Sequence, residues 1–269
     1  MPSEEVPLSD YRSLKWEIDS NVATITLDRP EKKNAMSWVM FNEIRAVFDR
    51  AAQDPEVRCV VLTGAGGAFC SGADLTDPEN MVGGTFEFKD RMKTIDGIVR
   101  AFIECPKPTI AKVTGIAAGA GCNLALGCDL IVATREAAFA ELFVKRGLVV
   151  DFGGTWALAR SLSLPRAKEV ALLGDTISAE QASEWGMINR LCEADEIDAV
   201  VKDLATRLAA MPPRTVSMIK ENLNRAVERS LEENLDAESA GQTLAFGSED
   251  TREAITAWIE KREPRFTGR

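Results

Sequence analysis

A chain of 269 residues that is 45% apolar and 28% charged is long enough to bury a full core as one large domain, with or without an appendage. Its net charge of −10 argues against a nucleic-acid partner, because phosphate binding needs a concentrated positive face; a local basic patch would still serve a phosphorylated small ligand. The absence of histidine removes Ser-His and Cys-His triads and HExxH zinc sites, and leaves proton transfer to Asp, Glu, Lys, Cys or the single tyrosine, Tyr11.

In chain order, residues 14–18 and 22–27 alternate around Asp19-Ser20-Asn21 and read as a hairpin. Asp28-Arg-Pro-Glu-Lys-Lys-Asn-Ala35 is a polar loop. Ser37 is placed to cap a helix running to Gln53, with Met40, Ile44, Val47, Phe48 and Ala51 on one face. Residues 59–63 form a short buried strand, 92–103 a helix stopped by Cys105-Pro-Lys-Pro108, 109–113 a strand, and 118–127 a helix of small residues. Strands follow at 129–133 and 138–142. This alternation predicts a layered α/β core. From Gly153 onward the pattern turns helical, with capping boxes at Ser178…Gln181 and Ser230…Glu233 and a break at Pro212-Pro213. The expected division is a core over 1–194 and a helical region over 195–269, of a kind that packs on a neighbouring subunit.

No apolar run reaches the roughly 18 residues of a membrane span, and the opening residues 1–7 are acidic with no apolar signal region. The six cysteines form no CxxC pair. A cytoplasmic protein with buried free thiols, no metal and no membrane association is expected.

Two glycine-rich loops stand out: Gly64-Ala-Gly-Gly-Ala-Phe-Cys-Ser-Gly-Ala-Asp-Leu75 and Thr114-Gly-Ile-Ala-Ala-Gly-Ala-Gly-Cys-Asn-Leu124. Each follows an apolar strand, and small residues let backbone approach a ligand closely. If the loops converge, they offer two amide donors to one oxygen, as stabilisation of an enolate or a tetrahedral intermediate requires. A dinucleotide site is excluded by pattern: the first strand leads into the polar loop, not GxGxxG, and there is no Walker A sequence.

With these loops, the pieces Ala23-Thr-Ile-Thr-Leu-Asp-Arg-Pro-Glu-Lys-Lys-Asn-Ala-Met36, Cys128-Asp-Leu130 and Gly153-Gly-Thr155 and the tail Glu260-Lys-Arg-Glu-Pro-Arg-Phe266, in this order, resemble the crotonase (enoyl-CoA hydratase/isomerase) superfamily from Val22 to Arg269. The resemblance implies an α/β fold, a spiral of ββα units with C-terminal helices that build a homotrimer or a dimer of trimers. It also implies an acyl-CoA thioester substrate, coenzyme A being part of the substrate and no other cofactor being needed. The oxyanion donors it implies are the N–H groups of Ser71 and Ala120. Lys33, Ala35, Gly72, Ala73, Asp74 and Leu75 would line the CoA arm, and Gly119, Asn123 and Phe143 would join the substrate site, Asn123 either orienting the thioester or a substrate oxygen or serving as a buried helix residue that bonds backbone. Arg29, Lys32 and Lys33 would supply positive charge for phosphates.

Hydratases of this superfamily carry two glutamates, at the positions of Asn123 and Phe143. Neither is a carboxylate here. Asp151, in Gly147-Leu-Val-Val-Asp-Phe-Gly-Gly-Thr-Trp156, instead aligns with the aspartate of the single-aspartate isomerases, and the Asp-x-Gly-Gly-Thr-Trp form is most similar to the epoxyphenylacetyl-CoA isomerases. Its alternative role is a helix cap. Shielding by Val149, Val150, Phe152 and Trp156 would raise its pKa toward a useful range for a base. Glu141, two residues before Phe143, is expected to form a salt bridge on the sheet surface, with a place in the pocket as the alternative. The leading reading is an acyl-CoA isomerase in which Asp151 carries a proton between two carbons. A weak or broad enoyl-CoA hydratase and a non-catalytic acyl-CoA-binding protein are the alternatives.

Overall fold

A computed structural model describes residues 11–81 and 84–269. The chain opens with an antiparallel hairpin, β1 (Leu14–Asp19) and β2 (Val22–Leu27). Ser37 Oγ accepts the Met40 N–H at 3.2 Å to start α1 (Trp38–Gln53), which buries the expected stripe. Then come β3 (Cys59–Gly64), α2 (Pro78–Met81), α3 (Thr85–Ile103), β4 (Thr109–Val113), β5 (Ile116–Ala118), α4 (Ala120–Leu126), β6 (Leu130–Thr134) and β7 (Ala138–Ala140). These are followed by α5 (Gly154–Ser161), α6 (Leu164–Leu173), β8 (Thr176–Ser178), α7 (Ala179–Glu184) and β9 (Arg190–Cys192). Four helices end the chain: α8 (Ile197–Ala209), α9 (Pro213–Ala226), α10 (Leu231–Phe246) and α11 (Glu249–Glu260).

The strands form two sheets, β1-β2-β3-β4-β6-β9 and β5-β7-β8. Beyond the hairpin the large sheet is parallel, and its central strands are mainly apolar because both faces are covered, Lys112 of β4 being the charged exception. The chain advances by a repeated step: one strand in the large sheet, one in the small, then a helix, as in β4-β5-α4 and β6-β7-α5. Successive second strands therefore lie side by side. Ala118 pairs with Ala140, and single bridges join Cys70 to Ala117 and Met36 to Ala73. This row sets residues 34–36, 70–73, 116–120 and 138–141 next to one another, and so brings the two glycine loops together.

One core packs α1 and α3 against the sheet around Phe48, Phe102, Phe41 and Phe152, whose neighbouring rings are 5.5–6.0 Å apart. A second core sets Ile197, Val201, Ala205 and Ala209 of α8 on Cys59, Val61, Ile110 and Val132. Thus α8, which the sequence groups with the helical end, belongs to the layer over the sheet. By contrast, α9 and α10 bury none of their residues, and Leu223, Leu244, Phe246 and Trp258 stand exposed.

Three expectations shift. The helix expected at 92–103 begins at Thr85, where Glu87 reaches back to the Gly84 N–H at 2.6 Å; its first turns are exposed and carry no apolar period. The helix expected from residue 118 is preceded by β5, three residues too small to show a strand pattern. β7 stops at Ala140, so Glu141 lies beyond the strand. All six cysteines are free and buried. Among the described residues no helix is long and apolar enough to cross a membrane.

Candidate active site

The first glycine loop corrects one assignment. The Ser71 N–H donates to the Lys33 carbonyl at 3.0 Å, so it is not free for a ligand. The free amide is two residues on. Met36 N–H donates to Gly72 O at 2.7 Å and Asp74 N–H donates to Met36 O at 2.9 Å. Amide direction alternates along an extended strand, so the Ala73 N–H between them points the other way. It has no acceptor among the described residues.

The second loop meets it there. A Cβ on Gly72, whose φ is +98°, would lie 2.8 Å from Ala118 O and 3.7 Å from Ala120 N. Only glycine permits this approach. Ala120 is the first residue of α4, and its N–H has no acceptor among the described residues, as befits a helix start. Gly119, at φ 52°, donates its own N–H to Ala140 O at 2.8 Å and so pins the loop to β7. The Phe143 ring lies beside it, 3.8 Å from where a Gly119 Cβ would sit. Two unspent amides, Ala73 and Ala120, thus come from adjoining turns of the spiral.

The residues expected to line the CoA arm divide. Ala35 is buried, Lys33 and Leu75 are exposed, and Lys33 forms no ion pair among the described residues. Asp74 is committed elsewhere: it accepts from Thr76 N (3.0 Å), Thr76 Oγ1 (2.6 Å) and Arg29 (3.0 Å). Burial pushes its carboxyl up, but these bonds outweigh it and hold the group below its ordinary value. Arg29 also donates to Ala35 O at 2.6 Å. The pair therefore clasps the two strands of the donor loop, and the Asp74 carboxyl is spent within the protein.

Asp151 does not cap α5. The cap position is Gly153 at φ 77°, with no side-chain cap bond. The Asp151 carboxyl bonds no other side chain among the described residues; burial pushes it up to about 6, with its own amide opposing and Asp96 of α3 adding to the rise. The expected shielding is only partly present. Phe152 is in the aromatic cluster, but Val149 is 84% exposed, and Trp156 is engaged by Arg160 of its own helix, which stacks on it at 3.9 Å, and by Glu228 in the turn between α9 and α10, which accepts from its ring N–H.

Asn123 does not face a ligand with its amide. Its Nδ2 donates to Asp151 O at 2.8 Å, a carbonyl that also accepts from Gly154 N–H at 2.9 Å. The amide lies against Gly154, where a Cβ would come within 2.3 Å of Nδ2. Asn123 therefore holds the backbone of the turn that carries the acid. Glu141 departs from expectation. It has no exposed surface, and among the described residues it makes no salt bridge and neither carboxyl oxygen has a well-aligned hydrogen bond. Sequence reading misses this because nothing in residues 138–142 shows that α4 covers position 141.

A cleft of about 740 Å³ at the C-terminal turn, lined by Glu249, Glu253, Arg262 and Arg265 among others, shares no residue with this row. Among the described residues no cluster of three or more His, Cys, Asp or Glu is placed to hold a metal.

A two-sheet spiral whose adjoining turns present two free amides near an uncommitted acid has the layout that an oxyanion-stabilising enzyme requires. The enoyl-CoA hydratase/isomerase family profile matches residues 17–269, and the chain belongs to that family. It is 39% identical over 259 residues to the 1,2-epoxyphenylacetyl-CoA isomerase of Escherichia coli K12, covering 94% of this chain and 97% of that one. It is 32% identical to the short-chain-enoyl-CoA hydratase of Clostridium acetobutylicum, covering 92% and 94%. The crystal structure of enoyl-CoA hydratase subunit I from Geobacillus kaustophilus HTA426 superposes with a TM-score of 0.90 at 35% identity, covering 97% of this chain and 100% of that one.

Proposed function

We propose that this protein is an acyl-CoA isomerase that moves a double bond through an enolate. The thioester oxygen accepts hydrogen bonds from Ala73 N–H and Ala120 N–H. As Asp151 removes a proton from the acyl chain, negative charge grows on that oxygen, and fixed donors in a dry site favour it. Asp151 then returns the proton to another carbon. One group acting first as base and then as acid needs no water and no cofactor beyond the coenzyme A of the substrate itself. The observation that carries this reading is the pair of unspent amides together with the Asp151 carboxyl, which bonds no other side chain among the described residues. The E. coli relative is named for an epoxide-bearing acyl-CoA, and ring rearrangement in such a substrate would draw on the same enolate.

Hydration needs two carboxylates that touch one water. Glu141, with no exposed surface, does not qualify as the second, and Phe143 beside Gly119 cannot hold water. A panel of 3-enoyl-, 2-enoyl- and epoxyacyl-CoA thioesters in heavy water separates the readings. We expect exchange of acyl hydrogens and isomerisation to exceed hydration by about 100-fold. Hydration of crotonyl-CoA as the fastest reaction would establish a hydratase, and tight binding with no exchange a non-catalytic binder.

The exposed apolar residues of α9 to α11 fit a trimer built through these helices, alone or as a dimer of trimers. Sedimentation of the 29.3-kDa chain is expected to give three or six copies. Leu223→Glu, which charges a 69%-exposed apolar position, is expected to shift the population to smaller species. A monomeric wild type would end this part of the proposal.

A further inference from the structure

Glu141 is sealed in the structure with no ion pair and no well-aligned hydrogen bond among the described residues. The side chains that face it are Cys122 and Asn123 of α4, together with Asp151 of the following turn. None is a cation. Burial keeps the Cys122 thiol protonated, with any charge on Glu141 adding to that, and Asp151 is itself an acid. The main-chain carbonyl of Glu141 faces Gly174, where a Cβ would come within 3.0 Å of it. Nearby Lys145 is paired with Asp175 at 2.9 Å. An ionised carboxylate here would be buried with no counter-charge among these neighbours, facing only the weakly donating Cys122 thiol and an Asn123 amide whose Nδ2 is bonded to Asp151 O, an arrangement that folded proteins avoid.

A second orphan adjoins it. Asn123 Oδ1 is buried without a donor, while Asn123 Nδ2 is spent on the Asp151 carbonyl. The Asn123 amide adjoins the Glu141 carboxyl, and its N–H side opposes the rise in the acid's pKa. Its Oδ1 and the two carboxyl oxygens, all buried without a well-aligned hydrogen bond, are acceptors that one shared proton would join.

We propose that Glu141 is a neutral carboxylic acid in the working enzyme, donating its O–H to Asn123 Oδ1 and thereby holding Asn123 on the backbone of Asp151. Glu141 is then a positioning residue, joined through Ala140 to Gly119 and the Ala120 donor on one side and through Asn123 to the acid on the other. Burial pushes its carboxyl up to about 8, with Cys122 and Asn123 drawing it partly back and the charge on Asp151 adding to the rise. Catalysis is expected to rise with pH through about 6 as Asp151 ionises, and to fall through about 8 as Glu141 loses its proton. Stability follows the same proton. The unfolded chain releases it near 4.5 and the folded chain near 8, so the contribution of the neutral acid is complete below 4.5 and is lost as pH rises to about 8.

The role in positioning Asp151 rests on the isomerase reading; the protonation state does not. The test is infrared spectroscopy of the full-length protein in heavy water, with the kinetics of E141Q and E141A alongside. At neutral pH the wild type is expected to show the C=O stretch of a buried carboxylic acid, absent in E141Q and bleaching through about pH 8. E141A is expected to lose about tenfold in kcat with KM little moved. E141Q, whose amide N–H replaces the acid O–H, is expected to restore most of that rate, to abolish the alkaline fall and to flatten the decline of Tm between pH 4.5 and about 8. A wild type without the acid band, or an E141Q variant that keeps the alkaline fall, overturns the proposal. If neither variant folds, the wild-type band alone decides. An acid band in a protein with no isomerase activity strikes the functional reading and leaves the proton on Glu141; isomerase activity without the band does the reverse.

Discussion

Replacing Asp151 by asparagine is expected to lower isomerisation of a 3-enoyl-CoA by about 10²–10⁴-fold, the range measured for loss of a positioned acid-base group. Asparagine has the same shape and cannot take a proton. Its effect on stability has the opposite sign. The folded chain holds the Asp151 proton to about 6 against 3.8 when unfolded, so ionisation at neutral pH works against folding. At 1.36 kcal/mol per pKa unit the variant gains at most about 3 kcal/mol, less what solvent screens at this partly exposed site. A damaged fold would lose activity and stability together; a lost base loses the first and gains the second. Stopped assays of 3-enoyl to 2-enoyl conversion, with Tm at neutral pH, give both signs. Unchanged conversion would remove Asp151 from the proton transfer.

The second large effect is Ala120→Pro, a substitution that deletes one hydrogen-bond donor while respecting the helix. Ala120 is the first residue of α4, the position where proline is best tolerated because its N–H has no helical partner. The preceding residue must be extended, and Gly119 at φ 52° and ψ −127° has the mirror image of that conformation, which glycine alone adopts freely. The fold is therefore expected to survive. The ring puts a carbon where the N–H pointed, and turnover is expected to fall by about 10²–10³-fold or more, the cost of one missing oxyanion donor. Ala120→Gly keeps the N–H and serves as the control. Normal turnover by the proline variant, with an unchanged circular dichroism spectrum, would mean that this amide stabilises nothing in the reaction.

The two donors differ in how far residue order reveals them. Ala120 is legible because a helix start has orphan amides by construction, and Gly119-Ala-Gly121 followed by an apolar run marks one. Ser71 misleads for the same kind of reason: its loop is rich in small residues, but which of its amides is free depends on strand pairing. The bridge of Met36 with Ala73 commits the backbone groups of residues 72 and 74 to Met36, and Lys33 takes the amide of residue 71. Asp74 and Arg29 are a similar case. As a charged pair in two loops they look available to a ligand, and in the fold they are tied to each other. Asp151 is the reverse: its position before Gly153-Gly-Thr155 singles it out, and in the fold its carboxyl bonds no other side chain among the described residues.

Residue order alone was enough for whatever is local: the strand and helix alternation, the serine caps, the lack of histidine chemistry, and the placing of one acid before a glycine turn. Turn and cap preferences act within a few residues, so they can be read along the chain. The choice of Ala73 over Ser71, the sealing of Glu141 and the turning of Asn123 onto the Asp151 carbonyl came from the packed spiral. Whether an amide is already bonded, or a carboxyl has lost its water, depends on atoms that folding brings in from dozens of residues away.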